Sequence, residues 1–244
     1  WIYKKLPHHF DKYCNVCERG KFQRRSKRIF QDNNVARRAG EVWHTDLVGP
    51  FPVSDGGYQY LCTFTDAATG YMQVYPIKRK KYAYKCLKKL CTYLKHLQVR
   101  TTKKHKIYRI RRLVSDRGGE YGGTRVNVSD ELKSIFNKVC KKKGIKQVFT
   151  DPDTSKQNGL AERTNRTVTE RMRCMIIESR CGFEYWPEAA KMAVEALNRT
   201  DKKKWRGKYY PTGTCAYRRM TGLDPNTGDL QQFMAQGEAV TSRK

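Results

Sequence analysis

A chain of 244 residues with 38% hydrophobic content has room for one large domain or two small ones and enough apolar material for a core, which excludes wholesale disorder. Lysine and arginine number 51 against 23 aspartates and glutamates, and the resulting net charge of +28 makes nucleic acid the first expected partner. No apolar run approaches a membrane span, and nine cysteines in a chain of this size read as reduced thiols of nucleus or cytosol rather than a disulfide framework.

Residues 1–38 are strongly basic and weakly periodic, and read as a small module plus linker. The opening Trp1-Ile2-Tyr3-Lys4-Lys5 has neither a Met nor a signal-peptide core, as expected of an internal fragment. From Glu41 the pattern changes. Val42 with Leu47 and Val48, then Tyr60 to Thr65, then Tyr71 to Tyr75 predict three strands, separated by turn signals at Gly49-Pro50, Asp55-Gly56-Gly57 and Gly70. Such short connections suit an antiparallel meander. Leu87, Leu90, Leu94 and Leu97 then recur at helical spacing. Ile107 to Ser115 predicts a fourth strand, and a helix begins at Ser129 and ends in three lysines and Gly144. Ile145 to Thr150 is a fifth strand. A long helix is expected from about Ser155 to Arg180, and another from Trp186, with Pro187 in its first turn, to Asn198. This order of elements predicts a mixed α/β fold: five strands in one sheet, covered by helices.

The charge is unevenly placed. Residues 78–112 hold 15 Lys/Arg and no Asp or Glu. A solvated face usually mixes signs, so the absence of acids points to phosphate binding. In so basic a chain, single carboxylates at the ends of elements carry information. Asp46 lies in the first strand, Asp116 ends the fourth, and Glu162 sits in the first turns of the long helix. Strand ends and a helix packed over them can bring three carboxylates together. Hard divalent cations are held by such oxygens together with substrate phosphate, and two of them can activate an attacking oxygen and stabilise a leaving one. Gly118 and Gly119 read equally as a close-approach site or as a plain turn, and Glu120 as a structural acid.

Four segments carry a family resemblance: Trp43-His44-Thr45-Asp46-Leu47-Val48-Gly49-Pro50, Ser115-Asp116-Arg117-Gly118-Gly119-Glu120-Tyr121, the ordered string from Pro152 to Arg166, and Trp186-Pro187-Glu188-Ala189-Ala190 through Asn198-Arg199. Together they resemble the integrases of long-terminal-repeat retrotransposons, most closely the copia-type branch of the retroviral-integrase superfamily, over roughly residues 38–225. The resemblance implies an RNase H-like core with Asp46, Asp116 and Glu162 as a catalytic triad holding two Mg²⁺ or Mn²⁺ ions. It also implies that Lys156, Asn158, Arg163, Asn165, Arg166 and Arg173 contact DNA. Glu162, Asn165, Arg166, Thr169 and Arg173 recur at helical spacing as one polar stripe, opposite Ala161, Thr164, Val168, Met172, Met175 and Ile176. Two features depart from the family pattern. Arg117 replaces the usual Asn, and the 45 residues between Asp116 and Glu162 exceed the retroviral spacing.

Cys14-Asn15-Val16-Cys17 resembles the second half of the family's His-His-Cys-Cys finger, a zinc half-site whose histidines would precede Trp1; His8 and His9 do not fit that spacing. The expected organisation is therefore a partial zinc module and basic linker (1–38), a catalytic core (39–225) and a polar tail (226–244). The implied activity is 3′-end processing and strand transfer of element DNA into host DNA. The alternative is an inactive or co-opted DNA-binding protein that kept the fold. The expected partners are double-stranded element and target DNA and further copies of the chain, with no membrane and no small-molecule substrate. The expected location is the nucleus, after cytoplasmic assembly in virus-like particles.

Overall fold

The computed structural model describes residues 36, 38–100, 108–122, 130–150, 159–200, 204–205, 208–209, 211, 214–228, 230 and 233. A five-stranded sheet is built from β1 (Val42–Val48), β2 (Tyr60–Asp66), β3 (Met72–Ile77), β4 (Arg112–Ser115) and β5 (Lys146–Phe149), in the order β3-β2-β1-β4-β5. The first three strands form the antiparallel meander that their short turns require. Helix α1 (Ala83–Arg100) then carries the chain over to β4, parallel to β1, and α2 (Asp130–Lys143) carries it to β5, parallel to β4. Helices α3 (Gly159–Ser179) and α4 (Trp186–Arg199), a short β6–β7 hairpin (Lys204–Trp205, Lys208–Tyr209) and α5 (Ala216–Thr221) complete the described chain.

Side-chain alternation assigns the two faces of the sheet. On one, Trp43, Cys62 and Phe64 meet Leu87, Leu90 and Leu94 of α1 and Phe136 of α2. On the other, Leu61, Met72 and Val74 meet Val168 and Met172 of α3 and Trp186 of α4. Because helices cover both faces, β2 is buried along nearly its whole length, and Thr63 and Thr65 must find partners inside the protein. Thr63 donates to Asn165 Oδ1 at 2.6 Å and Thr65 to Thr164 Oγ1 at 2.9 Å, both on α3. These two bonds set the long helix in register against the sheet. A third buried polar group closes the meander. Asp66 accepts the Gly40 and Thr69 backbone N–H groups and the Thr69 hydroxyl at 2.7–2.9 Å. Burial still pushes its carboxyl up to about 6.

Three expectations are corrected. Strand β4 starts at Arg112, not Ile107, because β1 offers a partner only from Val42, which pairs with Arg112. Upstream of it, Tyr108 turns inward and donates its hydroxyl to the Met220 carbonyl at 2.7 Å. The tail expected from residue 226 is not wholly peripheral, since Phe233 is buried among the side chains of α3 and α4. Helix α5, which no periodicity announced, places Ala216 and Met220 in the core beneath α1. It runs from Cys215, whose Sγ caps the Arg218 N–H, to Gly222 at φ 79°. Two other helix ends match their sequence signals, while the expected starts at Ser129 and Ser155 lie outside the described residues. Lys141, Lys142 and Lys143 end α2 before Gly144 at φ 66°, and Pro187 opens α4. Among the described residues no helix is long and apolar enough to cross a membrane.

Candidate active site

Asp46, Asp116 and Glu162 come from three elements. Strand alternation turns Asp46 of β1 towards α3, while its neighbour Thr45 faces α1 and α2, with its hydroxyl 3.4 Å from that of Tyr121. Asp46 Oδ1 accepts the Leu47 N–H at 2.8 Å, and Oδ2 accepts the Asn165 side-chain amide at 2.8 Å. Asp116 follows the last residue of β4, the strand beside β1, and its Oδ1 accepts the Gly118 N–H at 3.0 Å. Glu162 lies exposed in the first turn of α3.

The turn after Asp116 brings Gly118 close to two carboxylates. A Cβ there would stand 3.0 Å from Asp116 Oδ1 and 2.9 Å from Glu120 Oε2, so a side chain would wedge between the two carboxylates. One helical turn, Gly119–Tyr121, then ends on Gly122 at φ 83°. It is clamped by the Tyr121 ring against Phe136, centroids 5.3 Å apart, and by the Gln147 amide donating to the Tyr121 carbonyl at 2.9 Å. Glu120 is thus held beside Asp116, a fourth acid that the sequence treated as structural.

The electrostatics of Asp46 record how these acids are arranged. Burial, first of all, and then repulsion from Asp116, Glu162 and Glu120 push its carboxyl up to about 7, against the lowering effect of the Leu47 N–H. All three acids lie within electrostatic reach of one half-buried carboxylate. Among the described residues no three His, Cys, Asp or Glu side chains close into a metal cage. The group nevertheless fits a hard divalent cation. Its donors are all carboxylate oxygens, and their mutual repulsion is what a 2+ ion relieves. Mg²⁺ is held by one or two carboxylates with water and substrate phosphate, so an open arrangement suits it.

The expected DNA-contacting residues divide. Glu162, Arg166 and Arg173 are exposed along α3, and Arg163 is half-buried. Asn165 is corrected: it is only 9% exposed, and its amide is occupied by Thr63 on one side and Asp46 on the other. At three residues past Glu162 it is rotated towards the sheet, where Thr63 lies beneath it, so it orients Asp46 instead of reaching outward. Thr63 was missed altogether, its only sequence signal being a polar residue at an inward position of a buried strand. Lys156, Asn158, Cys14 and Cys17 lie outside the described residues. Replacing Asn165 by Ala is expected to lower turnover about 10- to 100-fold with KM for DNA nearly unchanged, because Asp46 loses its orienting donor. Steady-state kinetics would separate this from a DNA-contact role, which would raise KM.

A mixed sheet in this strand order, flanked by two helices on each face, with acids at the adjoining ends of its two central parallel strands and on the helix over them, is an RNase H-like core. The chain matches, through residues 36–155, the integrase core domain family, and the matched stretch contains Asp46 and Asp116. It is 30% identical over 190 residues to the retrovirus-related Pol polyprotein from transposon TNT 1-94 of Nicotiana tabacum, covering 78% of this chain and 13% of that polyprotein. To the corresponding polyprotein from transposon RE1 of Arabidopsis thaliana it is 26% identical over 197 residues, covering 79% of this chain and 11% of the other. The chain thus spans about an eighth of the length of these relatives. A chain of the simian T-cell lymphotropic virus intasome, solved in complex with PP2A regulatory subunit B56 gamma, superposes with a TM-score of 0.54. That match covers 95% of this chain and 69% of the other at 16% identity, a likeness of fold.

Proposed function

We propose that the protein is a retrotransposon integrase, a polynucleotidyl transferase that trims the 3′ ends of element DNA and joins them to host DNA. The observation that carries this reading is the half-buried Asp46 carboxylate, repelled by Asp116, Glu162 and Glu120 within an integrase core domain. Asp46, Asp116 and Glu162 would hold Mg²⁺ or Mn²⁺, as two ions, with substrate phosphate. When bound, such ions neutralise charge at the scissile phosphate and activate the attacking oxygen. Asn165 holds Asp46 at its Oδ2, and the Leu47 N–H holds Oδ1. The fixed turn at Gly118 presents Asp116. Lys156, Asn158, Arg163, Arg166 and Arg173 bind and orient the DNA backbone, so a 3′-hydroxyl is aligned with its target phosphodiester. Mostly phosphate contacts give weak sequence preference and steep salt dependence.

In this reading the protein works as a multimer on two DNA ends, and Cys14 with Cys17 completes a zinc site with ligands upstream. The reaction belongs in the nucleus, after assembly in cytoplasmic virus-like particles. The test is disintegration, the reversal of strand joining, on a branched DNA with Mn²⁺, with Glu162→Gln beside the wild type. Rejoined strands with the wild type and none with the variant are expected. Products that survive in Glu162→Gln remove that residue from the chemistry. Cut but unjoined strands make the protein a nuclease, and binding without either makes it an inactive relative.

A further inference from the structure

Between Asp66 and Asp116 the chain contains no acidic residue, and among the described residues the fold places five lysines of this stretch on one outward surface. Leu87, Leu90, Leu94 and Leu97 face the core, so Lys81, Lys85, Lys88, Lys89 and Lys95 lie exposed along the outer side of α1 and the turn before it. Three of these ammonium groups stand over tyrosine rings. Lys81 and Lys85 Nζ stand 5.5 and 4.6 Å from the Tyr82 ring centroid, and Lys88 Nζ stands 5.3 Å from that of Tyr84. The surface continues onto α2, which packs against α1 and ends in the exposed Lys141 and Lys142. At its other end, the turn Lys80–Tyr82 packs against Gly119–Tyr121, beside the acids of the candidate site.

Like charges four residues apart work against a helix, and α1 carries them at 85 and 89 with no acid to offset them. A polyanion removes that repulsion. The outer side of α1 spans about 15 Å from Lys85 to Lys95 at the helical rise. That is the axial span of about four phosphates on one strand of a duplex. A protein interface is depleted of lysine at its centre, and here five lysines are exposed with Tyr82 and Tyr84 already covered by three of them.

We propose that the exposed side of α1, with the adjoining lysines of α2, is a second nucleic-acid surface. It holds the phosphate backbone of a duplex segment apart from the one presented to the carboxylates. Helices α1 and α3 lie on opposite faces of the sheet, so this track is distinct from the Glu162–Arg166–Arg173 stripe.

The test compares two double variants of equal charge change on the whole chain: Lys85→Glu with Lys89→Glu, and Lys191→Glu with Arg180→Glu, all four positions exposed. Fluorescence anisotropy with a 20-bp mixed-sequence DNA duplex is followed through a salt series, and circular dichroism confirms retained helix. The α1 pair is expected to weaken binding at least about tenfold at 0.1 M salt and to lower the slope of log K against log salt by about 2. The control pair should change the slope by less than half as much. Equal losses in the two pairs, or unchanged binding in the α1 pair, would overturn the proposal. The same titration with an RNA duplex names the source. A defect confined to one duplex identifies it, a defect in both supports a track for phosphate alone, and a defect in neither overturns it. Binding is read without turnover, so the result is independent of the chemistry proposed above.

Discussion

Asp46→Asn is expected to abolish strand joining and to raise the stability of the metal-free protein. The two effects share one cause. Asp46 is half-buried beside three other acids, and its carboxyl is pushed from 3.8 up to about 7. A group whose pKa is raised by folding contributes stability below its unfolded value and loses it as pH rises through the folded value. For Asp46 that window runs from 3.8 to about 7, so above it the ionised carboxylate weighs against the fold. At pH 8 the cost is on the order of 2–4 kcal/mol. Asparagine removes the charge and keeps an oxygen for the Leu47 N–H. Turning the Asn165 amide lets its oxygen accept from the new side chain, while Thr63 rotates its hydroxyl to match. The variant cannot hold a divalent ion as a carboxylate does, and a loss of at least about 10³-fold in rate, roughly 4 kcal/mol of barrier, is expected. Urea melts in EDTA should show the variant more stable at pH 8 and the gain vanishing towards pH 4. Added Mg²⁺ should stabilise the wild type and not the variant. A variant less stable than wild type at pH 8, or one within tenfold of its rate, would remove Asp46 from the proposed role.

Trp186→Ala should have the largest effect on stability, about 3–5 kcal/mol, out of the 5–15 kcal/mol typical of a domain. Trp186 is fully buried at the start of α4, with its ring 4.7 Å from that of Phe51. Its indole N–H donates to the Pro52 carbonyl at 3.0 Å. One side chain therefore joins α4, the core shared with α3, and the loop that leaves β1 just past Asp46. Trp186→Phe keeps most of the apolar volume and loses the bond to Pro52, so about 1–2 kcal/mol is expected. Denaturant unfolding of the three proteins reads both numbers. Equal losses in the Ala and Phe variants would assign the effect to the hydrogen bond and not to the buried ring.

The elements that the sequence announced are those with a strong period and a clear stop. The leucine stripe of α1, the lysines and glycine that end α2, Pro187 at the start of α4 and the three strands of the meander all appear where the pattern put them. Periodicity works there because burial on one face is a local requirement, repeated every two or 3.6 residues. It failed where the requirement was not local. Residues 108–111 look like a strand, but a strand needs a neighbour, and β1 does not reach back that far. Helix α5 and Phe233 are too short or too isolated to show a period, and only the space left under α1 and beside α4 explains their burial.

The candidate site divides in the same way. Asp46, Asp116 and Glu162 are a weak signal by residue type, and the motifs around them, through the family resemblance, single them out. The role of Asn165 could not be read so. Helical spacing puts it on the stripe of Glu162 and Arg166, but the width of that stripe depends on how deeply α3 lies against β2. The hydroxyls of Thr63 and Thr65, buried because helices cover both faces, draw the helix down until Asn165 meets Asp46. The sequence by itself determined which residues are acidic, basic or periodic, and hence the elements and the candidate acids. The tertiary structure alone decided which acid is repelled by the others, which amide orients it, and that the lysines of α1 form one surface. Those are matters of distance between residues far apart in the chain.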